Sequence, residues 1–226
     1  MSWLTLLVWT AMAEVPLQDE TVAINPWYLR DLELRQKGMH QYFLTHFGPN
    51  PPLTLEPKMV VIHWTAVPSA QSTWNTFASA TLGGRKDIRA AGDVNVGAHF
   101  LVDRDGTIHQ LLPENHFARH CIGVNHIAIG IENVGGTPEF PLTEEQLNAN
   151  VMLIRDLQTR HEIDVVVGHY EIRHFESHPY FQELNPKYRS IKSDPGEMFM
   201  QQLRVKMVTV ENPNSAMQSL GNDLNK

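Results

Sequence analysis

Lys58-Met-Val-Val-Ile-His-Trp-Thr-Ala66 is the stretch whose reading decides the fold. Met59 to Ile62 runs apolar without a polar break, and two of the four are valines, more β-branched than a short helix favours. This predicts a strand buried on both faces. It stops abruptly at His63, followed by Trp64 and Thr65. In open α/β sheets, chemistry gathers at the carboxyl ends of strands, so a histidine there is held by a rigid element and points into the crevice.

Two further runs outward repeat the arrangement. Ile127 to Val134 reads as a second buried strand ending in Glu132-Asn133, where a carboxylate without a partner is costly to bury. Asp164 to Val167 reads as a short strand delivering Gly168-His169. Between them, Thr143-Glu-Glu-Gln146 has the form of a capping box, with a helix expected to about His161 on Leu147, Val151, Ile154 and Leu157. Ala98 to Val102, the Arg104-Asp105-Gly106 turn and Thr107 to Leu112 form a predicted hairpin.

The flanks carry less chemistry. Trp27 to Phe47 has a helical pattern on Leu29, Leu32, Met39, Tyr42, Phe43 and Phe47, an expected outer layer, and Gly48 to Pro52 breaks it. Pro68-Ser69 opens an expected helix to about Leu82, and Arg85 to Val96 a polar loop at a cleft rim. Tyr170 to Ile191 is polar, aromatic and histidine-rich; Lys192-Ser-Asp-Pro-Gly196 then leads to a last helix, with Pro195 expected in its first turn and its end near Met207.

Composition sets the bounds. The 226 residues, 42% hydrophobic and 19% charged, describe a globular chain with one substantial core. A net charge of -7 argues against a nucleic-acid binder, and one cysteine, Cys121, excludes a disulfide framework or Cys-rich zinc module. Trp3 to Met12 is too short an apolar run to span a bilayer, and Ala11-Met12-Ala13 has the small-x-small form that a signal peptidase cuts, although no Lys or Arg precedes it. The expectation is a leader over 1–13, export to periplasm or exterior, an extension over 14–52 with one helix, a catalytic unit over 53–208, and a mobile tail over 209–226. No later membrane span is expected, and the chain is expected to be a monomer.

His63, His169 and Asp194 thus stand at element ends, among twelve histidines. Two imidazoles and a carboxylate with a fourth position open is the donor set of catalytic zinc. There is no HExxH, and spacing alone does not make these three residues neighbours.

Val61-Ile-His63, the hairpin Ala98 to Ile108, Ile129-Gly-Ile-Glu132, Gly168-His169 and Lys192-Ser-Asp-Pro-Gly196 occur together in one order over about Pro57 to Met207. In this the chain resembles the type 2 zinc-dependent N-acetylmuramoyl-L-alanine amidases, relatives of phage amidases and animal peptidoglycan recognition proteins. The resemblance implies a mixed, twisted α/β sheet with helices on both faces in a single amidase domain. It implies zinc on His63, His169 and Asp194, with Glu132 as acid–base group and Lys192 stabilising the oxyanion. His120 falls where the family has a substrate-facing histidine, with a packing or supporting role as the alternative; His99 and His126 are read as core histidines. The implied reaction is hydrolysis of the amide joining N-acetylmuramic acid to L-alanine in peptidoglycan or muropeptides. The competing reading is a non-catalytic peptidoglycan-binding module. The chain departs from shorter members in the length of 170–191, which stands where it could close over the cleft, and in having Asp194 where some relatives have Cys.

Overall fold

A computed structural model describes residues 22–211. Six strands form one mixed sheet in the order β1-β4-β3-β5-β2-β6: β1 (Ile24–Pro26), β2 (Met59–Trp64), β3 (Phe100–Val102), β4 (Ile108–Gln110), β5 (Ala128–Asn133) and β6 (Val165–Gly168). Only the β3–β4 hairpin pairs antiparallel. The α/β fold with helices packed on both sides is as expected.

The register explains why three distant residues meet. On the parallel trio β5-β2-β6, His63 lies opposite Glu132 and Ile62 opposite Gly168, so His169 leaves its strand at the level of His63. Side chains alternate across a strand. Val60, Ile62, Ile129 and Ile131 therefore face one way, into the main core with Leu153, Leu157 and Leu203. Met59, Val61 and Ala128 face the other, packing on Cys121, Val124 and Ile172. His63 and Glu132 share this second face.

Helix α4 (Glu144–Arg160) begins with the expected capping box of Thr143 and Gln146. The Gln146 amide also donates to the carbonyls of Val102 and Val134, tying the cap to the sheet. Helix α5 (Glu197–Glu211) packs beside α4; it starts after Pro195 and not on it. Helix α5 runs past its expected end near Met207 and takes in 209–211 of the expected tail; the rest of that tail and the leader at 1–13 lie outside the described residues.

Three local expectations are corrected. Helix α1 spans Leu32–His46, not Trp27 to Phe47. Its start is displaced because the Trp27 and Leu29 amides donate to Gln110 and Leu111 carbonyls, extending the β1–β4 pairing, and Asp31 then turns the chain at φ 54. β1 itself, Ile24–Pro26, lies just ahead of this stretch. Helix α2 (Ala70–Phe77) is capped by Ser69 and stops five residues short of Leu82. The buried Arg35 guanidinium takes the Phe77 and Ser79 carbonyls, and Asn95 takes those of Thr76 and Ser79, so they are lost to the helix. A single turn, α3 (Lys86–Arg89), interrupts the expected rim loop.

The 170–191 excursion opens with a 3₁₀ segment, His169–Phe175, and is fastened down along its length. Its Phe181 ring lies so close to Gly123, at φ +87, that a Cβ there would fall 2.3 Å from it. The Gln182 amide donates to the Gly123 carbonyl, and the buried Glu183 carboxylate accepts from His46 of α1 at 2.9 Å. Tyr188 and Ser190 then line the cleft. The segment is a wall, held on two sides by long-range bonds.

Candidate active site

The strand ends open into a cleft of about 420 Å³, within the usual range for small-molecule sites. His63, Glu132, His169, Lys192 and Asp194 all line it, together with His120. Every sequence-expected site residue is therefore in one place, although His63 and Asp194 are 131 residues apart in the chain.

The centre is three donor atoms. His63 Nδ1 and His169 Nδ1 are 2.9 Å apart, and Asp194 Oδ2 lies 3.1 Å from the first and 3.0 Å from the second. All three residues are buried. Burial, then the neighbouring His63, pushes the His169 imidazole down to about 4, so it is neutral at pH 7. Burial alone would raise Asp194, but His169 and His63 beside it outweigh burial and hold the carboxyl well below its usual range. Two imidazole nitrogens this close leave a lone pair facing a lone pair unless a cation or proton intervenes. One proton serves only one pair of the three; a metal ion serves all of them. A tetrahedral zinc with bonds of about 2.0–2.1 Å would need this triangle to open by only a few tenths of an ångström. The donor set and its spacing fit zinc.

Glu132 stands beside the triangle and is not part of it. Its Oε2 is buried without a hydrogen-bond partner. Burial and the nearby Asp194 push the carboxyl up to about 7, against the pull of His63 and Lys192. A carboxyl pushed up toward neutral pH is suited to taking and returning a proton. Lys192 is exposed on the cleft wall, and its charge is felt at Glu132 and at His169.

His120 does not offer a free nitrogen to a substrate: Nδ1 is 3.1 Å from His63 Nε2, and Nε2 is 3.1 Å from the Ala128 carbonyl oxygen. His99 is fully buried and satisfied on both nitrogens, by the Gly130 amide and the His116 carbonyl. His126 is buried edge-on against Phe47. Both are core histidines, as read from their strands.

Supporting residues carried no signal in the sequence. Asn133 Nδ2 donates to the His63 carbonyl at 3.0 Å, and Asn150 of α4 donates to Asn133 Oδ1 at 2.6 Å, so the end of β2 is braced from the opposite face. Arg119 is buried, donating to the carbonyls of Ile88, Gly92 and Val94 and to the Tyr188 hydroxyl, with Tyr42 beneath its guanidinium. It fixes the cleft rim to α1 and to the excursion. An apolar residue preceding or following an Asn or Arg gives no such clue; only the pairing partner does.

A family model described as N-acetylmuramoyl-L-alanine amidase matches residues 53–197. The endolysin of Enterobacteria phage K11 is 28% identical over 86 residues, 36% of this chain and 57% of that protein. The endolysin of Escherichia phage T7 is 31% identical over the same shares. The chain thus spans little more than half the length of these curated relatives. Among solved structures, N-acetylmuramoyl-L-alanine amidase LysC from Clostridium intestinale URNW is similar with a TM-score of 0.50 at 21% identity, over 83% of this chain and 98% of that one. At that identity the likeness speaks for the fold. No helix among the described residues is long and apolar enough to cross a membrane.

Proposed function

The chain belongs to the N-acetylmuramoyl-L-alanine amidase family, and from that membership we propose that it hydrolyses the amide between N-acetylmuramic acid and L-alanine of peptidoglycan, with zinc as its metal. The observation that carries this is the triangle of His63 Nδ1, His169 Nδ1 and Asp194 Oδ2, with the unpartnered Glu132 Oε2 beside it in the cleft.

His63, His169 and Asp194 would hold the ion. When bound, zinc supplies Lewis acidity, polarising the amide carbonyl and making water nucleophilic near neutral pH. Glu132 takes the proton from the attacking water and returns it to the departing amine of L-alanine. Lys192 places a positive charge where the carbonyl oxygen becomes an oxyanion. Arg119, bonded to the Ile88 carbonyl and the Tyr188 hydroxyl, fixes the rim loop and the excursion in place at the cleft. Residues 53–208 are proposed as the catalytic unit, with α1 lending Tyr42 to the cleft. An exported location, expected from Ala11-Met12-Ala13, accords with a wall polymer as substrate.

Mass spectrometry of sacculi digested with the purified chain tests the reading. Free stem peptides with an unblocked L-alanine amine are expected. Binding to sacculi with no released peptide would leave a binding module instead. Elemental analysis of protein never exposed to chelator should find about one zinc per chain, since a three-donor open site is affine. Full activity in metal-free protein would refute the metal assignment.

A further inference from the structure

The hydrogen-bond chain behind His63 fixes which of its nitrogens is bare. His120 Nε2 faces the Ala128 carbonyl oxygen at 3.1 Å. A carbonyl only accepts, so this nitrogen carries the hydrogen. The ring's only other polar neighbour is His63, and no carboxylate among the described residues bonds either of its nitrogens to hold a second proton there, so the ring has one N–H. Its Nδ1 is therefore a lone pair, 3.1 Å from His63 Nε2. If His63 were protonated on Nδ1 alone, two lone pairs would face each other across that gap. With the hydrogen on His63 Nε2, the contact becomes a hydrogen bond.

We propose that His120 is a positioning residue that sets the tautomer of His63 before any metal arrives, leaving His63 Nδ1 bare and aimed at the point it shares with His169 Nδ1 and Asp194 Oδ2. The relay runs from His63 Nε2–H to His120 Nδ1, and from His120 Nε2–H to the Ala128 oxygen. Outer partners of this kind orient a ligand ring and raise its basicity. The proposal rests on the metal-site reading above.

The surroundings of His120 are built to hold that one orientation. Its backbone amide and that of Cys121 both donate to Asn125 Oδ1, at 3.0 and 2.8 Å. Its ring lies directly on Gly130 of β5, where a Cβ would fall 2.8 Å from both Cγ and Nδ1. The Gly130 amide in turn donates to His99 Nδ1, and the His99 ring stands edge-on to His120 at 83°. Gly130 is thus needed for its missing side chain and for its N–H. A ring so enclosed cannot swing out to bind substrate without losing the Ala128 bond.

The test begins with the full chain, ¹⁵N-labelled on histidine and stripped of metal. Long-range ¹H–¹⁵N correlations report which nitrogen of each neutral imidazole is protonated, and His63 is assigned by the resonance lost in His63→Gln. The expected result is an Nε2–H tautomer at His63. An Nδ1–H tautomer in the wild-type chain would overturn the proposal. Chelator competition gives a second readout: His120→Leu should weaken zinc binding by about 10–100-fold. His120→Asn, whose amide oxygen can replace the Nδ1 acceptor, should recover most of it. Zinc binding by His120→Leu at wild-type strength, in a chain whose melting shows it folded, would also overturn it. Because the tautomer is read in metal-free wild-type protein, a chain that cut no peptidoglycan would still give the answer, so this proposal and the hydrolase reading can fail separately.

Discussion

Asp194→Ala is expected to abolish both zinc binding at micromolar metal and hydrolysis of peptidoglycan, while the fold survives. The carboxylate is the only anionic donor of the three, and it lies about equally far from the two histidine nitrogens, at 3.1 and 3.0 Å. Spreading the roughly 10–16 kcal/mol of a four-ligand zinc site evenly gives about 2.5–4 kcal/mol per ligand, or about 10²–10³ in affinity. Losing the one negative charge places this ligand at the upper end, because the remaining imidazoles do nothing to neutralise a dication. Two measurements check it. Added zinc should raise the melting temperature of the wild-type chain, since a ligand that binds only the native state stabilises it by mass action, and should leave Asp194→Ala unmoved. Elemental analysis of the variant should find no metal. If Asp194→Ala keeps its zinc, the triangle is a hydrogen-bonded cluster of buried side chains, and the metal belongs elsewhere.

The three proposed ligands were legible in the sequence because each stands at a feature that sequence reports well. His63 and His169 end continuous apolar runs, and Asp194 precedes a proline near a helix start. Glu132 was legible for the same reason, as a charge at the end of a buried strand. That they meet was not legible. It follows from the register that sets His63 against Glu132 and Ile62 against Gly168, and register is decided by pairing across the sheet. The errors have the same origin. Helix α1 loses its first turn because the Trp27 and Leu29 amides find distant acceptors in the carbonyls of Gln110, at the end of β4, and Leu111 just after it. Helix α2 ends early because Arg35, on another helix, takes its carbonyls. The excursion read from sequence as a possible cover is a wall because Glu183 meets His46 and Phe181 meets Gly123. None of these partners is near in sequence, and each outweighs a local preference worth a fraction of a kcal/mol per residue.

Glu132→Gln separates chemistry from metal binding, and its expected effect is a fall in turnover of about 10²–10⁴ with zinc still bound. The amide is nearly the same size as the carboxyl, so packing at the end of β5 is kept. What is lost is the ability to accept a proton. KM should change little, because the proton is in flight only in the transition state. The pH dependence supplies an independent check. A base must be ionised to act, so activity rises with pH through the carboxyl's pKa. Burial and Asp194 put that at about 7 without metal, and a bound dication would draw it lower, so the acid limb of kcat/KM should lie at or below pH 7 and vanish in Glu132→Gln. Stability should move the other way. A carboxyl raised from 4.5 to about 7 on folding costs the native state stability as pH climbs through that window, and all of the penalty is present above it. Metal-free Glu132→Gln at pH 8 should therefore melt no lower than the wild-type chain. Lys192→Ala offers the contrast: a loss of about 10²–10³ in turnover, as for one oxyanion donor, with the acid limb retained. Near-normal turnover in Glu132→Gln would make Glu132 a structural carboxylate at a strand end, and loss of its zinc would make it a fourth ligand; either result removes the proton relay from the mechanism.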